Sequence, residues 1–201
     1  MLAVLQLVST QGRNLALAFA IGLVFSVLLL NVEIYGTPLT YYLIQYNLAV
    51  YSGAVWQLLT SIFVVVPFSS EGPLGVVDVL FNTIAIVWLD GLLSHAFQRW
   101  DYYAVFVLSA LAGNLASLLN GPGAASFGAS GGIFGLLAGA VAKDFAVEGR
   151  VDFNLLAWFL AVFVFSSFAL SYVDWQAHLG GAFLGLAAGY LVGRRSGGEV
   201  L

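Results

Sequence analysis

The chain has 201 residues, enough for one domain; 61% of them are hydrophobic and only 8% charged, against roughly a quarter charged in soluble domains. With a mean hydropathy of +0.99, too few polar groups remain to cover a soluble surface. Six Lys+Arg against ten Asp+Glu give a net charge of -4 and no basic patch for nucleic acid, while the absence of cysteine excludes disulfides, a thiolate nucleophile and Cys-bound metal. The composition is that of an all-α integral membrane protein.

A helix crosses ~30 Å of hydrocarbon with ~20 mostly apolar residues. On that basis spans are expected near 14–32, 74–93, 102–119, 129–147, 153–172 and 174–193. The first has a signal-like apolar centre, but only Arg13 precedes it and no small-residue cleavage site follows, so it reads as a retained span. Residues 34–70 contain no Asp, Glu, Lys or Arg before the end of the stretch, and hold Tyr35, Tyr41, Tyr42, Tyr46, Tyr51 and Trp56. Amphipathic rings favour the headgroup boundary, so this segment reads as an interfacial first loop.

Within it, 53–68 competes as a seventh span, bounded by Gly53 and Pro67. With six spans and a cytoplasmic N-terminus, Arg13, Arg99, Lys143, Arg150, Arg194 and Arg195 all fall on the cytoplasmic side. A seventh span separates Arg13 from the other five, so the positive-inside rule favours six. The expectation is a single membrane domain over 1–201 with both termini cytoplasmic. The short terminal extensions argue against an added regulatory domain. Short loops and the lack of cysteine point to a prokaryotic plasma membrane.

Polar groups inside spans are costly and usually functional. Asp78 and Asn82 lie in the first two turns of the second span, Ser130 opens the fourth, and His178 lies about one turn into the sixth. All three spans enter from the outer side, so these groups share one depth near that face. Asp78 and Asn82 are also i,i+4 and share a helix face. Gly131, Gly135 and Gly139 recur every four residues, as do Gly181, Gly185 and Gly189. Such small-residue stripes allow close backbone approach in lipid; if they face each other, Ser130 and His178 meet at the outer end of the contact.

A hydroxyl needs a base to become a nucleophile, and histidine is the usual one. The turn Gly128-Ala129-Ser130-Gly131 sets the serine at a helix N-terminus, where unpaired N–H groups and the positive dipole end suit an oxyanion. The Asn82 amide is a further donor. No carboxylate stands behind His178 except Asp174, one turn earlier, so the reading is a Ser–His dyad. Taken singly, a transmembrane serine, a glycine stripe or a buried histidine is ordinary packing. Ser109, Ser117, Ser126 and Ser166 are expected only to hydrogen-bond locally. It is the agreement in depth that separates the others.

Gly128-Ala129-Ser130-Gly131-Gly132-Ile133-Phe134-Gly135 resembles the serine motif of rhomboid intramembrane proteases. Ala177-His178-Leu179-Gly180-Gly181 with Gly185 resembles their last-helix motif. Trp56-Gln57-Leu58-Leu59-Thr60-Ser61 is similar to the loop motif before the second helix, and Leu80-Phe81-Asn82 to that helix's own. The resemblance covers 13–193 in the right order and implies a six-transmembrane-helix rhomboid-like bundle.

It also implies hydrolysis of peptide bonds in or near the transmembrane segments of membrane proteins. Ser130 is then the nucleophile, His178 the general base, and Asn82 with the Ser130 backbone N–H the oxyanion donors, with Asp78 alongside. Gly128, Gly131, Phe134, Gly181 and Gly185 support the site. The family uses no metal or cofactor. The implied partners are transmembrane substrates and the lipid bilayer, and the active site opens toward the extracytoplasmic side.

The chain departs from the family at four places. Asp78 stands where a histidine is usual; a carboxylate there repels a developing oxyanion, so it is expected to point away or to carry a proton. Gln57 replaces an arginine, which removes a cation bracing the loop. Phe134 replaces a tyrosine and can stack on the imidazole without a hydroxyl. Ser94 replaces a glutamate. The alternative function is a non-catalytic relative that binds membrane-protein clients. A channel or transporter needs polar groups at the midplane, whereas here they cluster near one face.

Overall fold

The computed structural model describes residues 9–34, 37–68, 72–168 and 173–198. Six long helices dominate: α1 (Thr10–Leu29), α4 (Leu74–Ala96), α5 (Arg99–Ser117), α6 (Ser130–Glu148), α7 (Phe153–Phe168) and α8 (Trp175–Gly198). Between α1 and α4 lie the short helices α2 (Asn47–Tyr51) and α3 (Gln57–Thr60). Two antiparallel strand pairs accompany them: β1 (Glu33–Ile34) with β2 (Thr37–Pro38), and β3 (Gln45–Tyr46) with β4 (Ala125–Ser126).

Among the described residues four helices are long and apolar enough to cross a membrane: α1, α4, α5 with its short extension to Asn120, and α6. The apolar α7 is shorter over its described residues, and the rest of the 153–172 expectation lies outside them. In α8, Gln176, His178 and recurrent glycines dilute the apolar character. Large apolar side chains stand exposed along α1 (Leu17, Ile21, Phe25), α4 (Phe81, Ile84, Trp88) and α7 (Trp158, Val164, Phe165). In water such faces mark an interaction surface or an aggregation hazard; on a multi-pass membrane protein they meet lipid.

Several boundaries differ from the expected spans, for local reasons. Helix α1 begins four residues before 14 because the Ser9 side chain accepts from the Gly12 N–H and caps it. Helix α5 takes in Arg99, Trp100 and Asp101, polar or amphipathic residues that a hydropathy reading excludes. Residues 53–68 are helical only over Gln57–Thr60, so no continuous helix runs through that stretch.

The chain divides into two compact units, one of Met1–Leu89 with Ser117–Ala129 and one of Asp90–Ala116 with Ser130–Leu201. In the first, the loop is fastened to α1 around the fully buried Ser26. Its hydroxyl donates to the Gly22 carbonyl (2.7 Å) and accepts from the Val65 N–H (3.0 Å), while Thr40 donates to the Ser26 carbonyl (3.0 Å). A Cβ at Gly22 would run into the Phe63 carbonyl oxygen, and one at Gly75 of α4 into that of Val66. The apolar loop thus fits against both helices at backbone distance.

Gln57, which leaves the loop without a bracing cation, holds it by hydrogen bonds instead. It is buried at 3% exposure; its carbonyl oxygen accepts from the Tyr46 N–H (2.9 Å) and its amide donates to the Tyr42 carbonyl (3.2 Å). The Trp56 indole N–H donates to the same carbonyl (3.1 Å). A carboxamide can do both because it carries donor and acceptor, and it does so without the cost of burying a charge. Farther along, the Asn47 amide donates to the carbonyls of Ser117 and Gly121, both at 2.9 Å. It ties the first loop to the segment leading into Ser130.

The second unit is organised around α6, whose residues Gly131 to Val141 are all buried. Its glycine stripe meets that of α8. A Cβ at Gly181, Gly185 or Gly189 would strike the carbonyl oxygen of Gly131, Gly135 or Gly139 respectively. Helix α5 closes a third side: a Cβ at Gly113 would lie 2.6 Å from the Ala177 carbonyl oxygen, and one at Gly180 would lie 2.7 Å from that of Ala112. Ser109 of α5 abuts Gly135. Such contacts replace hydrophobic driving force, which lipid does not supply, with close van der Waals packing.

Candidate active site

Ser130 is the first residue of α6. The turn before it depends on Gly128, whose φ is +112°, a backbone state that side chains with a Cβ rarely adopt. The sharp entry sets Ser130 half-buried at the helix start, where N–H groups lack intrahelical acceptors and the dipole is positive.

Facing α6 across the glycine contact, α8 presents His178, 4% exposed. Its Nε2 lies 2.8 Å from Ser130 Oγ. The Phe134 ring, one turn into α6, sits 4.4 Å from the imidazole centroid at an interplanar angle of 43°. Phe163 of α7 lies edge-on at 6.4 Å and contacts Phe134 at 5.3 Å. The imidazole is therefore confined by aromatic faces, which leaves its two nitrogens as its polar contacts. Gly131, Gly181 and Gly185, expected as supporting residues, are the glycines that let the two backbones touch.

The other side of the imidazole holds a residue that sequence reasoning missed. Nδ1 lies 2.8 Å from the hydroxyl of Ser167 on α7, itself 3% exposed. Its neighbour Ser166 bonds within its own helix, donating to the Val162 carbonyl (2.7 Å). Ser109 and Ser117 depart from the expectation of local bonding, because both hydroxyl oxygens are buried with no hydrogen-bond partner among the described residues. Asp174 makes hydrogen bonds to the start of its own helix. One carboxylate oxygen accepts from the Ala177 N–H (3.1 Å) and the Asp174 carbonyl accepts from the His178 N–H (3.3 Å), so Asp174 caps α8.

In the first unit, Asp78, Asn82 and Gly128 come together. The Asn82 amide, 5% exposed, donates to Asp78 Oδ2 at 2.9 Å. A Cβ at Gly128 would lie 2.5 Å from the same oxygen, and the Gly128 N–H donates to the Ser61 carbonyl (2.8 Å). The carboxyl group thus faces Asn82 and Gly128 within this unit, and the i,i+4 spacing puts the Asn82 amide within its reach. The side chain of Asp78→Asn offers the same acceptor geometry. If the chain cleaves peptide bonds as its resemblance implies, the difference between a charge-assisted and a neutral hydrogen bond, about 1 kcal/mol, limits the expected loss in rate to roughly tenfold. Cleavage of a transmembrane reporter in liposomes checks this, and complete loss would mean that the carboxylate itself is needed.

Among the described residues no group of three or more His, Cys, Asp or Glu is placed to hold a metal ion.

A model of the rhomboid domain matches residues 52–195. The chain is similar to "RHOMBOID-like protein 1" of Arabidopsis thaliana, with 28% identity over 150 residues, 72% of this chain and 36% of that protein. It is also similar to "Putative rhomboid protease YdcA" of Bacillus subtilis (strain 168), with 28% identity over 151 residues, 73% of this chain and 70% of that protein. The chain thus spans about a third of the Arabidopsis relative and about two thirds of the bacterial one. With the domain match covering most of its length, the chain belongs to the rhomboid family.

Proposed function

We propose that the chain is an intramembrane serine endopeptidase that cleaves peptide bonds in or near transmembrane segments of other membrane proteins. The observation that carries this reading is the 2.8 Å contact between Ser130 Oγ and His178 Nε2. That distance lies within the reach a nucleophile and its base require.

In this reading Ser130 Oγ attacks the scissile carbonyl carbon as its proton passes to His178 Nε2. The carbonyl oxygen becomes an oxyanion facing the start of α6, where the Ser130 N–H is a donor by its place on the helix. Asn82 is assigned the second donor on its motif alone. His178 then hands the proton to the leaving amine nitrogen as the C–N bond breaks. Water repeats the sequence on the acyl-enzyme and restores the serine. The reading places the protein in a plasma membrane with cytoplasmic termini, and its site opens toward the extracytoplasmic side.

The test is fluorophosphonate labelling of the purified protein, with intact mass to locate the adduct, together with cleavage of a transmembrane reporter in liposomes. Labelling and cleavage by the natural sequence, both lost in Ser130→Ala, are expected. If the natural sequence neither labels nor cleaves, the chain is a non-catalytic member that binds membrane-protein clients.

A further inference from the structure

We propose that Ser167 is a positioning residue of the dyad, holding the His178 imidazole in the tautomer and orientation that the base requires. The inference rests on the protease reading above and adds a third member to it from α7.

For Nε2 to take a proton from Ser130, its lone pair must face that hydroxyl, so the neutral imidazole carries its hydrogen on Nδ1. The Nδ1–H then donates to Ser167 Oγ, 2.8 Å away; a hydroxyl can accept here because it has lone pairs and a rotatable hydrogen. Once the Ser130 proton reaches Nε2, the ring is an imidazolium and the Nδ1–H···O bond becomes charge-assisted, hence stronger. An interaction that strengthens as the proton moves lowers the barrier instead of tightening ground-state binding. Ser167 keeps its own proton throughout.

Two further observations fit this role. Among the described residues Asp174 hydrogen-bonds to the start of α8, with one carboxylate oxygen on the Ala177 N–H, and aromatic rings take the flanks of the imidazole. The Ser167 hydroxyl is therefore the polar group aimed at Nδ1. A neutral hydroxyl also costs less to bury at membrane depth than a carboxylate.

The test measures the fluorophosphonate reaction of the full chain in detergent, in which the Ser130 O–P bond forms, the P–F bond breaks and fluoride leaves as the proton passes to Nε2. The inactivation rate constant kinact and the binding constant KI are separated by varying probe concentration. Ser167→Ala is expected to lower kinact about tenfold, the loss of one hydrogen bond to the charged ring, with KI unchanged. Ser167→Thr, which restores a hydroxyl at the same place, is expected to recover most of it. A kinact for Ser167→Ala within twofold of the natural sequence overturns the proposal, as does a loss that appears in KI alone. A Thr variant as slow as Ala, with unchanged unfolding midpoints for both, also overturns it. If the natural sequence does not label and does not cleave, it is the protease reading that fails.

Discussion

Ser130→Ala, His178→Ala and the double variant are expected to lose the same amount of cleavage activity, on the order of 10⁴-fold or more relative to the natural sequence. The reason is geometric. Ser130 Oγ and His178 Nε2 are 2.8 Å apart, and a hydroxyl without its base has no route for its proton, while a base without the hydroxyl has nothing to activate. The two act as one unit, so the second substitution removes nothing the first has left. Single-turnover cleavage of a transmembrane reporter in liposomes, with each variant at equal folded concentration, measures the cycle. Additive losses would mean that the two side chains serve separate steps and would break the dyad assignment.

What made this pair legible before any coordinates was periodicity. Glycines every four residues on two spans specify a contact between backbones, and Ser130 and His178 sit at matching ends of those stripes. The contact of Gly131 with Gly181, and of Gly135 with Gly185, is the physical form of that pattern. Ser167 was not legible, because α7 is apolar on all sides and gives no sign of which face meets α8. Ser166 and Ser167 are adjacent yet point to different partners, the Val162 carbonyl and the imidazole.

Asp174 could have been assigned from sequence, since an acidic residue directly before a helix is an N-cap signature. Its position one turn before His178 equally suits a partner for the ring, and spacing alone does not choose between the two. The role of Gln57 depends on where the chain brings the Tyr42 carbonyl and the Tyr46 N–H, and no local spacing rule encodes that. The same holds for Ser26, which pairs with a residue 39 positions away. Asp78 lies between these cases: the i,i+4 spacing placed it beside Asn82, but whether its carboxylate faced the amide depended on a rotamer.

The packing that brings the dyad together also sets its tolerance. A Cβ at Gly181 would lie 2.7 Å from the Gly131 carbonyl carbon and 2.9 Å from its Cα, atoms of a helix backbone that cannot swing aside like a side chain. Gly181→Ala therefore has to push α8 away from α6 at the turn that carries His178, with Ser130 directly before Gly131. A displacement of about 1 Å at reacting groups costs roughly 10²-fold in rate, whereas accommodating one extra methyl in a packed interface costs about 1–3 kcal/mol. The expected result is a protein that still folds, with a lowered unfolding midpoint in detergent, and cleaves about a hundredfold more slowly. Gly185→Leu, one turn deeper and against the Gly135 backbone at 2.5 Å from its Cα, adds far more volume and is expected to leave no folded protein. Gly91→Ala is the control, because a Cβ there meets nothing within 4 Å, and both its midpoint and its activity should match the natural sequence. Unfolding followed by tryptophan fluorescence, alongside reporter cleavage, separates the two effects. Full activity in Gly181→Ala would show that the spacing of α6 and α8 does not govern the distance from Ser130 to His178.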